Sequence, residues 1–148
     1  MGATNPGLNI FANQPPLDLR TAGRIFWVGN STTVFVPGGV TGVNAAGAYG
    51  DNPQRPFASI EYAQTSGPCV ADRGDVIVVL PGHVEDITAA AGLDLDIAGI
   101  TVLFLGDGAT RGTIRFSTAV GADMDIDAAN ITLGAKGING LIESELYP

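Results

Sequence analysis

Five consecutive apolar residues, Val76 to Leu80, follow a Gly74-Asp75 turn and stop at Pro81-Gly82. A β-branched run this short, bounded by breakers, predicts a buried strand and not a helix. Apolar runs separated by Gly and Asp recur at Leu93 to Ile97, Thr101 to Leu105, Thr113 to Phe116, Met124 to Ala128 and Ile131 to Leu133. From Gly74 onward the chain reads as a coil of short strands.

Two of these segments repeat. Leu93-Asp-Leu-Asp-Ile-Ala-Gly-Ile-Thr-Val102 and Met124-Asp-Ile-Asp-Ala-Ala-Asn-Ile-Thr-Leu133 align position by position at an offset of 31 residues. A second copy at fixed offset is the signature of one supersecondary unit stacked on another. Alternation puts Leu93, Leu95 and Ile97 inward against Asp94 and Asp96, and Met124 and Ile126 inward against Asp123, Asp125 and Asp127. Gly99 and Asn130 occupy the bend of each copy, where a positive φ is expected.

Upstream the pattern changes. Residues 1–22 hold the breakers Gly2, Pro6, Gly7, Pro15 and Pro16, with Leu8, Ile10, Phe11, Leu17 and Leu19 in no regular period. They predict an extended N-terminal arm whose five apolar residues dock on a partner or on the chain's own domain, the alternative being a disordered terminus. Residues 23–36 predict a β-hairpin, Arg24 to Val28 and Thr32 to Val36 about Gly29-Asn30-Ser31, anchored by Trp27 and Phe35. Residues 37–56, Gly-rich, predict a long irregular loop. Residues 57–65, with Pro56 at the first helical position and Phe57, Ile60 and Ala63 on one face, predict a short helix. Lying just before Val76, this helix is placed to cap the stack and shield its first edge from another chain. The rungs span 74–133, and the pattern is lost over the C-terminal segment, 134–148.

Composition agrees with an all-β domain. Of 148 residues, 21 are Gly and 15% are charged, which favours turns and stacked backbones over charged helices. A net charge of -8 with seven Lys and Arg argues against nucleic acid and anionic membranes as partners. Cys69 is the sole cysteine, so no intrachain disulfide is possible, and a small buried apolar role is expected. Met1-Gly-Ala-Thr-Asn-Pro6 lacks a basic n-region and an apolar h-region, predicting no export signal, and no window reaches the ~20 apolar residues of a membrane span.

Gly50-Asp-Asn-Pro-Gln-Arg-Pro-Phe-Ala-Ser-Ile-Glu-Tyr-Ala63, Gly74-Asp-Val-Ile-Val-Val-Leu-Pro-Gly-His83 and Ala90-Ala-Gly-Leu-Asp-Leu-Asp-Ile-Ala-Gly-Ile-Thr-Val102 together resemble the opening of right-handed parallel β-helix modules of the pectin-lyase-like type. More narrowly, the resemblance is to the form found in virion proteins of tailed bacteriophages. It covers roughly residues 50–133 and marks a fold opening, not an active site. Enzymes of that fold are longer, whereas only about three or four rungs of ~20 to 30 residues fit here. No catalytic residue is carried over.

The chemical candidates are few. Stacking the two repeats brings Asp94 and Asp96 within about one strand spacing, ~4.8 Å, of Asp125 and Asp127, a set that suits Ca²⁺ or simply a solvated strand face. Paired carboxylates could also serve glycoside hydrolysis, but no aromatic platform lies beside them. His83, the one histidine, has no triad or zinc partner in the sequence and reads as a turn residue at a strand exit. Gly106 to Gly112 lacks the Lys-Ser/Thr ending of a phosphate loop, and Arg73-Gly-Asp75 runs straight into a strand. Both read as turns.

The sequence expectation is therefore a short right-handed parallel β-helix with an N-terminal hairpin, an arm and one capping helix. No cofactor is expected. The expected function is non-enzymatic: a phage virion structural protein, a capsid decoration or cement protein, homotrimeric, bound to the major capsid protein on the capsid surface and made in the bacterial host cytoplasm. The second reading is a tail-fibre or receptor-binding module for a cell-surface glycan. The third is a glycan-cleaving β-helix enzyme.

Overall fold

The strands of this chain are three or four residues long, so each depends on neighbours distant in sequence. A computed structural model describes residues 23–30, 41–117, 121–135 and 141–144. In chain order the regular elements are β1 (Ile25–Val28), helix α1 (Ile60–Thr65), β2 (Val76–Val79), β3 (Val84–Ile87), β4 (Leu93–Leu95), β5 (Thr101–Phe104), β6 (Thr113–Phe116), β7 (Met124–Ile126), β8 (Thr132–Ala135) and β9 (Leu141–Ser144), with a 3₁₀ turn at Gly108–Thr110. The arm, including Leu8, Ile10, Phe11, Leu17 and Leu19, lies outside the described residues.

Among the described residues the strands form three parallel sheets, ordered β1-β2-β5-β8, β3-β6-β9 and β4-β7. The chain visits them in a constant order: β2, β3, β4, then β5, β6, β7, then β8, β9. The internal repeat is realised in register, with Leu93 opposite Met124, Asp94 opposite Asp125 and Thr101 opposite Thr132. Its bends have the expected backbone, φ 76° at Gly99 and 60° at Asn130. They stack directly, since Gly99 N–H donates to Ala129 O at 3.0 Å.

Inward positions build one core from columns of register partners. Phe26, Ile77 and Val102 stand in one column, and Val28, Val79 and Phe104 in the next. Each such side chain, fully buried, stabilises the fold by roughly 1.5–3 kcal/mol. The core thins toward the last rung: Ile77 and Val102 are buried, but Leu133 is 38% exposed. Likewise Leu95 is buried, while its register partner Ile126, on the same inward face as expected, is left 52% exposed. β7 has no described strand beyond it to supply the missing contacts.

Three further departures have local causes. Two strands, β3 and β9, were not anticipated: Val84-Glu-Asp-Ile87 carries two acids, and Leu141-Ile-Glu-Ser144 lies where the pattern fades. The helix begins at Ile60 and not at Phe57, with Ser59 Oγ accepting the Tyr62 N–H at 3.1 Å as the N-cap. Phe57 cannot be helical because its backbone is spent on β1, its N–H donating to Trp27 O and its C=O accepting from Gly29 N–H, both at 2.8 Å. Trp27 N–H also donates to Gly50 O at 2.9 Å. The edge of β1 opposite β2 is thus occupied at Trp27 and Gly29, where the hairpin expected a partner strand; residues 32–36 lie outside the described set.

The first edge of the other two sheets is blocked by side chains. The Asn30 amide brackets Val84, Oδ1 accepting its N–H at 3.0 Å and Nδ2 donating to its C=O at 2.6 Å. On β4, Glu61 Oε2 accepts the Asp94 N–H at 2.9 Å and Gln64 Nε2 donates to Asp94 O. Helix α1 therefore shields the stack with side-chain amide and carboxylate groups as well as its apolar face. An edge blocked at these groups is a poorer template for another chain.

Candidate functional site

The Asp array is assembled only in part. Asp94 and Asp125 are register partners on β4 and β7, while Asp96, Asp125 and Asp127 stay exposed. Asp94 is half-buried beneath α1, and its Oδ1, like Gln64 Oε1, is enclosed without a hydrogen-bond partner. Desolvation first, then the nearby charges of Asp96, Asp127, Glu61 and Asp125, push the Asp94 carboxyl above its usual range. Among the described residues, no three His, Cys, Asp or Glu side chains converge as a metal ion requires.

His83 closes the turn at the exit of β2, as expected, its N–H donating to Leu80 O at 3.2 Å, but it is not exposed there. It is fully buried, its Nδ1 accepts the Asn30 N–H at 3.2 Å, and its Nε2 lies 2.7 Å from Glu85 Oε2. An Nδ1 that accepts leaves the proton on Nε2, so the imidazole is neutral and donates to the carboxylate. Glu85 Oε2 also accepts the Ile60 N–H at 2.9 Å, joining β3 to the start of α1. Although a His-Glu pair is the stuff of acid–base catalysis, both ring nitrogens are occupied and the pair is sealed from solvent. Its geometry fits a structural bolt. The signal lay in the alternation of Val84-Glu-Asp-Ile87: Glu85 shares the inward face with Ile87, and an inward carboxylate demands partners.

Arg73-Gly-Asp75 is closed to any adhesion partner. Asp75 is fully buried and accepts from Arg73 Nε (2.7 Å), Arg73 Nη2 (2.7 Å), Val70 N–H (2.8 Å) and Arg24 N–H (2.8 Å). Burial opposes its ionisation, but the Arg73 guanidinium and the two N–H groups outweigh that and hold its carboxyl below the usual range. Nearby, burial and the Asp75 charge push the Cys69 thiol up to about 12 against the pull of Arg73, so Cys69 is an inert, partly buried thiol packed against the core. The segment from Gly106 to Gly112 is the turn between β5 and β6.

Aromatic and charged groups converge at a cleft beside β1. It measures about 260 Å³ and is lined by Tyr49, Asp51, Phe57, Tyr62 and Arg24, with the C-terminal end of α1 at its edge. Arg24 Nη2 donates to Asp51 Oδ1 at 3.0 Å, and its guanidinium sits 5.2 Å over the Phe26 ring. Phe57 and Tyr62 meet at 5.3 Å with planes tilted by 57°. These residues come from four separate segments, which is why sequence spacing gave no hint of them. The described part of the Gly-rich loop supplies one wall, held by Gly50 N–H donating to Arg55 O at 2.7 Å.

No helix among the described residues is long and apolar enough to cross a membrane. Comparison with protein-family models, with curated proteins and with solved structures finds no match to this chain.

Proposed function

We propose that this chain is a non-enzymatic structural protein of a tailed-phage particle, a decoration or cement protein that binds the head. In this reading the three parallel sheets are a short right-handed parallel β-helix, and the body assembles as a homotrimer on the capsid surface after synthesis in the host cytoplasm. The observation that carries it is that the first edge of each of the three sheets is blocked at one or more residues, by Gly50 and Phe57, by Asn30, and by Glu61 with Gln64. A rigid body blocked in this way can add to a surface without polymerising through that edge. Ile25, 53% exposed, lies at the junction with the arm and extends the apolar surface offered to the major capsid protein.

Removing residues 2–20 is expected to abolish co-sedimentation with capsids while leaving the thermal transition of the body in place; binding that survives the deletion contradicts the proposal. Light scattering at ~0.15 M salt, where weak surface charge contacts are screened, is expected to give the trimer mass. A receptor-binding module is the second reading, favoured by the cleft at Arg24 and Asp51, and attachment of the purified protein to host cells tests it.

A further inference from the structure

The cleft beside β1 has the chemistry of a small, specific site. Its floor is apolar, built over the buried Phe57, and the half-buried Tyr49 and Tyr62 line it. Among the described residues neither tyrosine hydroxyl has a hydrogen-bond partner, and Asp51 engages only Oδ1, leaving Oδ2 able to accept. Arg24 supplies further donors beside it. Both charged side chains line the cleft and are about half exposed, 53% for Arg24 and 48% for Asp51, so their remaining capacity is accessible to a ligand.

Three physical constraints select the ligand. The Arg24 and Asp51 charges cancel, and the chain carries -8 overall, so an anion gains nothing here. Adjacent donors and acceptors match groups that each both donate and accept, which is the property of neighbouring hydroxyls. The ring faces require a ligand with an apolar side as well as a polar rim. A pyranose has both: C–H bonds over its face and hydroxyls around its edge. The volume, about 260 Å³, falls just under the ~300–1,000 Å³ of drug-sized pockets and suits one ring.

The wall is also preformed. Gly50 has φ +79°, and a Cβ there would stand 2.0 Å from Phe57 Cε2, so only glycine lets the loop close against the ring. Arg24 is held over Phe26 and by Asp51, which reduces the ordering cost on binding.

We infer that this cleft binds a single neutral pyranose residue, stacked on the partly exposed Tyr49 and Tyr62 rings and hydrogen-bonded through adjacent hydroxyls by Arg24 and Asp51. This inference rests on the receptor-binding reading, and because its test reads sugar binding and not co-sedimentation with capsids, its failure is distinguishable from failure of the capsid-binding reading.

The test is saturation-transfer NMR on the full chain with the methyl glycosides of glucose, galactose, mannose and N-acetylglucosamine at ~10 mM, a concentration that detects a Kd on the order of 1 mM. At least one glycoside is expected to receive saturation at its ring C–H protons. Tyr49→Ala and Asp51→Asn are each expected to weaken it about tenfold, with the thermal midpoint unchanged for Asp51→Asn because that side chain is exposed. Asp51→Asn leaves Arg24 uncompensated, so methyl glucuronide is expected to bind the variant better than the wild type, an effect that a purely structural role would not produce. No transfer from any of the neutral glycosides overturns the inference. So does transfer that both variants leave unchanged, or a wild-type preference for the glucuronide.

Discussion

Glu85 and His83 meet inside the first rung, Oε2 to Nε2 at 2.7 Å, with Glu85 standing in register against Ile114 in a column that is otherwise apolar. The same oxygen receives the Ile60 N–H, so one buried carboxylate joins the first strand of its sheet to the capping helix. Truncating it orphans two donors.

Glu85→Ala is therefore expected to lower the unfolding free energy by about 3–5 kcal/mol, the range for removing one partner of a buried charged network. Glu85→Gln keeps an acceptor oxygen and is expected to lose less, about 1–2 kcal/mol. Urea unfolding followed by far-UV circular dichroism measures both. Equal losses would show that the charge, and not the acceptor, holds the pair together.

Asp75 gives the fold an acid limit. Its folded carboxyl lies below the ordinary value, so its contribution is complete above the unfolded pKa of about 3.9 and is lost as pH falls through the lower folded value. Asp75→Asn is expected to cost about 2 kcal/mol at neutral pH and to flatten this part of the acid decline. Stability measured from neutral pH down to about 2 would reveal an unchanged slope if Asp75 were not the group responsible.

Asp94 acts with the opposite sign. Its folded carboxyl is raised, so the folded state holds that proton more tightly and gains stability as pH falls from above the folded value to below the unfolded one. Asp94→Asn is expected to raise the thermal midpoint at neutral pH, with the gain vanishing in acid. Because no three ligands converge there among the described residues, calcium is expected to produce neither titration heat nor a higher midpoint. Either signal would mean that the array closes around the ion.

Gly42 locks the loop to β1. Its N–H donates to Gly29 O at 2.9 Å, and an added Cβ would stand 2.3 Å from the carbonyl oxygens of both Gly29 and Phe57. Gly42→Ala must separate the loop from that edge and is expected to cost about 2–4 kcal/mol. Faster amide exchange at Trp27 and Gly29 would locate the damage, and a wild-type unfolding curve would contradict it.

Much of the stack was legible because period and register are local properties of a repeat. The alternation around Leu93 and Met124, the offset between the copies, and the bends at Gly99 and Asn130 each have one backbone solution, and β4-β7 and β5-β8 adopt it. The candidate site was far less legible. Asp94 and Asp125 could be paired from the repeat, yet the cover of Glu61 and Gln64 over Asp94 could not.

By itself the sequence determined the strands of the repeat, their parallel stacking, and a short helix placed to cover the first edge, since alternation and breakers act over a few residues. Only the tertiary structure decided that Phe57 lies against β1 and not in the helix, that His83 is buried on Glu85, and that Arg24, Tyr49, Asp51 and Tyr62 share a cleft. Those outcomes depend on which distant backbone donors and acceptors remain unpaired once the sheets have formed. That quantity belongs to the assembled fold, because each orphaned N–H or C=O finds its partner by proximity in space, not by spacing along the chain.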